Sequence, residues 1–112
     1  MKTDGLGRVG EDAAVALLRR NGYQIVARNV RLPGGEIDVI ARDGATVVFV
    51  EVKARESRAF GSAVSGVDAR KRKKLRRIAS EWLQLFAPSS FGRFDVIAAD
   101  GERLTHYKDA FR

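Results

Sequence analysis

The alternation of apolar and polar positions along the chain predicts an α/β protein. Apolar residues recur at helical spacing from residue 10 to 21 and again up to about residue 86. Short runs rich in β-branched residues predict strands at 23–30, 36–42, 47–55, 94–99 and 104–111. The order is helix, three strands, helix and one or two further strands. It predicts a single domain over residues 1–112, with a mixed sheet of four to five strands flanked by helices.

A hairpin is expected between the second and third strands. Asp43-Gly44 lies between β-branched runs, which is a strong signal for a two-residue turn. A turn at this pair would place Asp38 opposite Phe49. Glu51 and Lys53 then follow on the same face as Asp38, because side chains alternate along a strand. The other face of the hairpin is expected to be apolar, with Ile37, Val39, Val48, Val50 and Val52.

Two carboxylates on one strand face require a cation. At about 4 Å they repel by roughly 4 kcal/mol when the effective dielectric constant is about 20. Lys53 is one candidate cation, and a divalent ion such as Mg²⁺, which prefers carboxylate and phosphate oxygens, is another. A surface hairpin with an ordinary Glu-Lys pair explains the same spacing. The hairpin alone leaves both interpretations open.

The composition narrows the classes of partner. The formal net charge is +7 and the sequence pI is about 10.4, and arginines outnumber lysines, which suits a phosphate-bearing partner. The absence of cysteine excludes disulfides and thiolate metal sites and fits a reducing, cytoplasmic compartment. No secretory signal is recognisable over residues 2–10, and no run of about twenty apolar residues would span a membrane.

The second helix carries the densest cluster of charge. A capping box at Ser65–Asp68 is expected to start it, and Trp82 on its apolar stripe is expected in the core. Its basic residues repel one another, and a polyanion would relieve that repulsion, although many charge runs are simply solvated faces. The basic run comprises Arg70, Lys71, Arg72, Lys73, Lys74, Arg76 and Arg77.

The first residues carry a glycine pattern that resembles a dinucleotide-binding turn. No strand has room to precede Gly5–Gly10, so a flexible arm over residues 1–9 is the better prediction, with Arg8 placed to touch phosphate.

Glu11 falls in the first turn of the expected helix. It either complements the helix dipole or completes the acidic cluster of the hairpin. His106 has no recognisable partner pattern, and Asp95 is expected to cap or pair locally.

Several motifs in this order resemble the YraN-type family of bacterial proteins. They are Gly10-Glu11, Asn29, Gly35–Ile40, Phe49–Lys53 with Arg55, the lysine-rich helix and Arg93–Val96. The resemblance implies a restriction-endonuclease-like fold, similar to archaeal Holliday junction resolvases. It also implies that Asp38, Glu51 and the carbonyl of Val52 hold Mg²⁺ or Mn²⁺, with Lys53 as the catalytic lysine and Glu11 as the helix acid.

The combined expectation is a metal-dependent endonuclease that cleaves phosphodiester bonds in structured or branched DNA. The alternative is a non-catalytic nucleic-acid-binding module with a structural acidic cluster. DNA is expected over RNA, and resolvase-like cutting of two strands would use a homodimer. The residues expected to bind nucleic acid are Arg8, Arg55, Arg70, Lys71, Lys73, Lys74 and Arg77.

Overall fold

The computed structural model describes residues 5–55, 67–100 and 103–112, and these ranges form two helices and five strands. Helix α1 is Gly5–Arg20 and helix α2 is Ala69–Phe86. The strands are β1 Gln24–Leu32, β2 Gly35–Asp43, β3 Thr46–Arg55, β4 Gly92–Asp100 and β5 Arg103–Phe111. Neither helix has the length and apolar character needed to cross a bilayer.

The five strands form one sheet in the order β1-β2-β3-β4-β5. Strands β3 and β4 are parallel, and the other neighbouring pairs are antiparallel. Because parallel strands need a crossover connection, the chain leaves the sheet after β3 and returns through α2 to β4. The predicted mixed sheet flanked by helices is confirmed, and it is consistent with a restriction-endonuclease-like core.

The two helices cover opposite faces of the sheet. Leu18 of α1 packs in one apolar cluster with Val39 and Val50, whereas Ile78 of α2 packs in another with Ile40 and Phe49. Since neighbouring residues of a strand point to opposite faces, the two clusters lie on the two sides of β2 and β3. Trp82 is buried in the α2 cluster, as predicted.

Helix α1 begins earlier than the sequence predicted. It starts at Gly5, so residues 5–9 are helical where a flexible arm was expected, and Glu11 lies within the helix rather than in its first turn. Glycine weakens a helix by about 1 kcal/mol relative to alanine, but it keeps its N–H and does not end a helix as proline does. The glycine pattern was therefore a poor guide to the helix boundary.

The hairpin between β2 and β3 turns one residue later than predicted. Asp43 pairs with Thr46, so Gly44 and Ala45 form the two-residue turn, and Ile40 rather than Asp38 lies opposite Phe49. Gly44 has φ +62°, which suits a turn that needs glycine at its first central position. The register moves by two residues, and side-chain alternation on β3 is unaffected.

The alternation of β2 breaks at Asp38. Ile37 packs in the α2 cluster and Val39 in the α1 cluster, although strict alternation would place both on one face. The predicted position of Ile37 on the face of Val39 is therefore wrong. On the neighbouring strand, Asn29 has φ +51°, a left-handed conformation that alters the direction of β1 in the same stretch. The irregularity is local to the residues around Asp38.

Asp68 is the N-cap of α2. Its side chain accepts a hydrogen bond from Lys71 N at 2.9 Å, which satisfies a backbone donor of the first turn. The helix begins at Ala69 and ends at Phe86, as the sequence predicted for its end. The serine of the predicted capping box, Ser65, lies outside the described residues.

Candidate functional site

The irregularity at Asp38 directs its carboxylate to the backbone of β3. Regular pairing of β2 with β3 reaches Val39 and Val50, and beyond it Val52 N–H donates to Asp38 Oδ2 at 2.8 Å. Asp38 is buried, with 1% of its surface exposed. The accepted N–H belongs to the peptide that joins Glu51 to Val52, so the Asp38 carboxylate lies beside the main chain of Glu51.

Glu51 points to the α2 side of the sheet and is paired with two lysines. Its Oε2 lies 3.1 Å from Lys71 Nζ and 3.7 Å from Lys53 Nζ. The carboxylate is nearly buried, whereas Lys53 is partly exposed and Lys71 is more exposed. Because side chains two residues apart share a face of a strand, Lys53 lies beside Glu51 on β3, as the sequence predicted. Lys71 reaches it from the first turn of α2, which the sequence pattern did not reveal.

A groove of about 360 Å³ opens at this place between β2, β3 and α2, and Glu51 and Lys53 line it. Gly35 lets β2 approach α2 closely there. A Cβ at Gly35 would lie 2.9 Å from Ile78 Cδ1, and its φ of +141° is unfavourable for other residues. The groove lining comprises Gly35, Glu36, Glu51, Val52, Lys53, Lys71, Lys74 and Leu75.

Glu11 lies on the α1 side and has a different set of contacts. Its Oε1 accepts hydrogen bonds from Arg28 Nη2 at 3.0 Å and Asn29 Nδ2 at 3.0 Å. Arg28 also donates to Asp12 at 2.6 Å, and the hydrogen bonds with Asp12 and Glu11 raise the pKa of Arg28 above its usual value. Within the described ranges, no group of three or more His, Cys, Asp or Glu side chains is arranged to hold a metal ion. A catalytic role for Glu11 stays a prediction.

The donors near Glu51 are chemically suited to a hard divalent cation. The carboxylates of Asp38 and Glu51 and the carbonyl of Val52 offer oxygen atoms, which Mg²⁺ and Mn²⁺ prefer. Two carboxylates suffice for Mg²⁺ when waters and substrate phosphates complete its shell. The chemistry of these donors therefore suits the expected ion.

The basic residues of α2 divide into exposed and engaged side chains. Arg72 donates to Val67 O at 2.7 Å and Arg76 to Arg112 O at 2.9 Å, so these two arginines hold parts of the chain together. Arg8 lies in α1, and Arg55 is the last residue of β3. On α2, the exposed members of the predicted nucleic-acid-binding set are Arg70, Lys73, Lys74 and Arg77.

Sequence reasoning missed a buried polar network on the α1 side of the sheet, centred on Asp95. Arg93 Nε donates to Asp95 Oδ1 at 2.9 Å, and His106 Nε2 lies 2.7 Å from Asp95 Oδ2. Asp109 N–H also donates to Asp95, and Tyr23 Oη accepts from Arg93 Nη2 at 2.6 Å. His106 thus has a partner that the sequence did not indicate. The Arg-x-Asp spacing on one strand was the available signal, because residues two apart share a face.

This network changes the ionisation of its members. Burial alone would raise the pKa of Asp95, but hydrogen bonds from His106, Arg93 and the Asp109 N–H outweigh it and lower that pKa to about 2. Burial and the Asp95 charge raise the pKa of Tyr23 to about 12. The pKa of Arg93 is raised by its bonds to Asp95 and Asp43. Asp95 is therefore a stable anion at neutral pH.

Comparison with other proteins gives a consistent family assignment. Residues 10–99 match the family described as uncharacterised protein family UPF0102. A UPF0102 protein of Shewanella amazonensis is 44% identical over 105 residues, which covers 94% of this chain and 97% of the relative. One of Halorhodospira halophila is 45% identical over 106 residues, covering 95% and 86%. One of Moorella thermoacetica is 47% identical over 93 residues, covering 82% and 78%. The chain belongs to the UPF0102 family, which confirms the YraN-type resemblance drawn from its motifs.

Proposed function

We propose that this protein is a metal-dependent endonuclease that acts on structured or branched DNA. The observation that carries the proposal is the position of the Asp38 carboxylate, 2.8 Å from Val52 N, beside the buried Glu51 and its two lysines. Two acids and two ammonium groups therefore meet at one segment of β3. Metal-dependent hydrolysis of a phosphodiester uses carboxylates to hold a divalent ion and cations to offset phosphate charge.

The acids would bind the metal ion, and Lys53 would act on the phosphate or the water. Asp38, Glu51 and the Val52 carbonyl would hold Mg²⁺ or Mn²⁺. When bound, such an ion supplies Lewis-acid polarisation of the phosphate and lowers the pKa of a water. Lys53, whose Nζ lies 3.7 Å from Glu51 Oε2, donates hydrogen bonds to the charge that develops on the scissile phosphate or orients the attacking water.

The exposed cations of α2 supply the substrate contacts. They meet phosphates, which carry no base identity, so the shape of the DNA rather than its sequence selects the substrate. If these four cations contact duplex DNA, the log-log slope of binding against salt is roughly −4. Arg8 in α1 and Arg55 at the end of β3 remain in the proposed nucleic-acid-binding set.

A cleavage panel tests the proposal directly. Labelled linear, flapped and four-way-junction DNA, with single-stranded RNA for comparison, is incubated with protein in Mg²⁺, Mn²⁺ or EDTA. Cutting of branched DNA is expected in Mn²⁺, and Asp38→Asn or Glu51→Gln should abolish it while DNA binding persists. Asp12→Asn, which removes an exposed carboxylate from α1, is the matched control and should cut normally. Sedimentation of the free and DNA-bound protein tests the predicted homodimer.

One observation favours a second function, a non-catalytic nucleic-acid-binding module. Glu51 already has two ammonium partners, and Asp38 accepts a backbone N–H, so both acids have a structural explanation. In that case the protein binds branched DNA with the same salt dependence but cuts none of the substrates in any metal. Absence of cutting across the panel would sink the nuclease proposal and leave the binding module.

A further inference from the structure

The two lysines near Glu51 come from different elements and differ in how far their side chains are exposed to solvent. Lys53 comes from the same strand, and 26% of its side chain is exposed. Lys71 comes from α2, 41% of its side chain is exposed, and its Nζ is the nearer of the two to Glu51 Oε2, at 3.1 Å against 3.7 Å. Of these two lysines, the one nearer to the carboxylate is therefore the more solvent-exposed, and its ammonium is carried on a flexible four-carbon stem.

The ammonium of Lys71 is attracted by Glu51 and repelled by the other cations around it. A nearly buried carboxylate needs a counter-charge, and Lys71 provides it. On its own helix, however, Lys71 has Arg70, Lys73 and Lys74 as neighbours, which repel its ammonium. A divalent cation at Glu51 would add a stronger repulsion, because it binds the same carboxylate that holds Lys71 Nζ.

We propose that Lys71 is a displaceable counter-ion of Glu51. It neutralises the carboxylate before a divalent cation binds, and it turns to a phosphate of the nucleic acid once the cation has taken its place. The proposal rests on the proposed function at one point, the binding of a divalent cation by Asp38 and Glu51. Lys71 is then a positioning residue whose two partners depend on metal occupancy.

This exchange couples metal binding to nucleic-acid binding. Without metal, Lys71 is held by Glu51 and contributes little to phosphate binding. With metal bound, one more ammonium is available to the substrate at the groove. By thermodynamic reciprocity, nucleic acid that engages Lys71 tightens metal binding by the same factor. A lysine that only contacts phosphate shows no such dependence on metal.

The first measurement is the affinity for Mn²⁺ in the absence of nucleic acid. The electron paramagnetic resonance signal of free Mn²⁺ reports how much of the ion remains unbound. Lys71→Gln should bind Mn²⁺ about 3- to 10-fold more tightly than the parent, because the ion no longer competes with an ammonium. Lys71→Arg keeps the charge and should stay close to the parent. Lys73→Gln removes one charge from the same helix without a described contact to Glu51, so it reports the general effect of net charge on Mn²⁺ affinity.

The second measurement is the affinity for a four-way junction in EDTA and in Ca²⁺, with gel analysis to verify that the DNA stays intact. In EDTA, Lys71→Gln should change the affinity by less than about twofold, whereas Lys73→Gln should weaken it several-fold. In Ca²⁺, both substitutions should weaken binding to a similar extent. Circular dichroism of each variant verifies that it is folded.

The outcomes separate this proposal from the proposed function. If Mn²⁺ binding is absent, or is the same in Glu51→Gln, the metal site fails and both proposals fail with it. If Mn²⁺ binding depends on Glu51 but Lys71→Gln binds the ion no more tightly than Lys73→Gln, the counter-ion role is overturned and the nuclease proposal stands. Equal effects of Lys71→Gln on junction binding in EDTA and Ca²⁺ would overturn it as well.

Discussion

Two buried carboxylates lie on opposite faces of the sheet, and the protein neutralises them in different ways. Asp95, on the α1 side, is fully buried and receives hydrogen bonds from Arg93 and from the Asp109 backbone, with His106 at 2.7 Å. Glu51, on the α2 side, has two lysines at the edge of an open groove. The donors to Asp95 are buried or partly buried and include a backbone N–H, whereas the partners of Glu51 are two partly exposed lysine side chains.

The two environments differ in how firmly they hold their carboxylate. A buried carboxylate with fixed, directional donors has a low pKa, as Asp95 does. A carboxylate held by flexible ammonium groups gives up those partners at small cost, because half-exposed ion pairs contribute about 1 kcal/mol or less. The following predictions test this contrast.

The largest expected difference is in stability. Asp95→Asn should lower the free energy of unfolding by about 3 kcal/mol, because it leaves Arg93 and His106 without the anion they share. Glu51→Gln should change it by no more than about 1 kcal/mol. Urea unfolding at pH 7, without added metal, measures both. Equal losses in the two variants would contradict the contrast.

The free energy of unfolding should depend on pH in the acid range because the pKa of Asp95 is lowered in the fold. In the unfolded chain an aspartate titrates near pH 4, and in the fold the pKa of Asp95 is about 2. The group contributes about 2 kcal/mol above pH 4, and this stability is lost as the pH falls from 4 towards 2. Urea unfolding across that range measures the slope. Asp95→Asn should flatten this part of the curve, and an unchanged slope would show that other acids produce it.

The close approach of β2 to α2 should be sensitive to a single methyl group. Gly35→Ala should cost about 2 kcal/mol, since φ is +141° and the new Cβ would lie 2.9 Å from Ile78 Cδ1. Gly44→Ala is the matched control, because Gly44 also has positive φ but has nothing within 4 Å of its Cβ, and about 1 kcal/mol is expected. Adding Ile78→Val should recover part of the loss at Gly35 only. Thermal unfolding measures all three, and no recovery would exclude the contact with Ile78.

At neutral pH, the smallest effect is expected at the edge of the Asp95 network. Tyr23→Phe should cost about 1 kcal/mol, because Arg93 loses the acceptor at 2.6 Å. The pKa of Tyr23 is about 12 in the fold, against about 10 when unfolded, so its contribution is complete below pH 10 and is lost as the pH rises towards 12. Urea unfolding from pH 9 to 11.5 measures this loss, which should disappear in the variant. A steep alkaline loss that persists in Tyr23→Phe would assign it to another group.

Much of the fold was predictable because local patterns determine it. The strand positions, the end of α2 and the burial of Trp82 follow from hydrophobic periodicity, and they are as predicted. The placement of Lys53 with Glu51 follows from the period of two along a strand. The hairpin turn was misplaced because Asp43-Gly44 and Gly44-Ala45 are both acceptable turn pairs, and only strand pairing selects between them.

The sequence by itself determined the order of the elements, the basic helix and the position of Glu51 and Lys53 on one face of β3. Only the tertiary structure decided the break of alternation at Asp38, the approach of Lys71 to Glu51 and the meeting of Asp95 with His106. The physical reason is the separation along the chain between the residues that interact. Periodicity acts over a few residues, whereas these contacts join separate strands or a strand and a helix, and their geometry depends on how the whole sheet twists and packs.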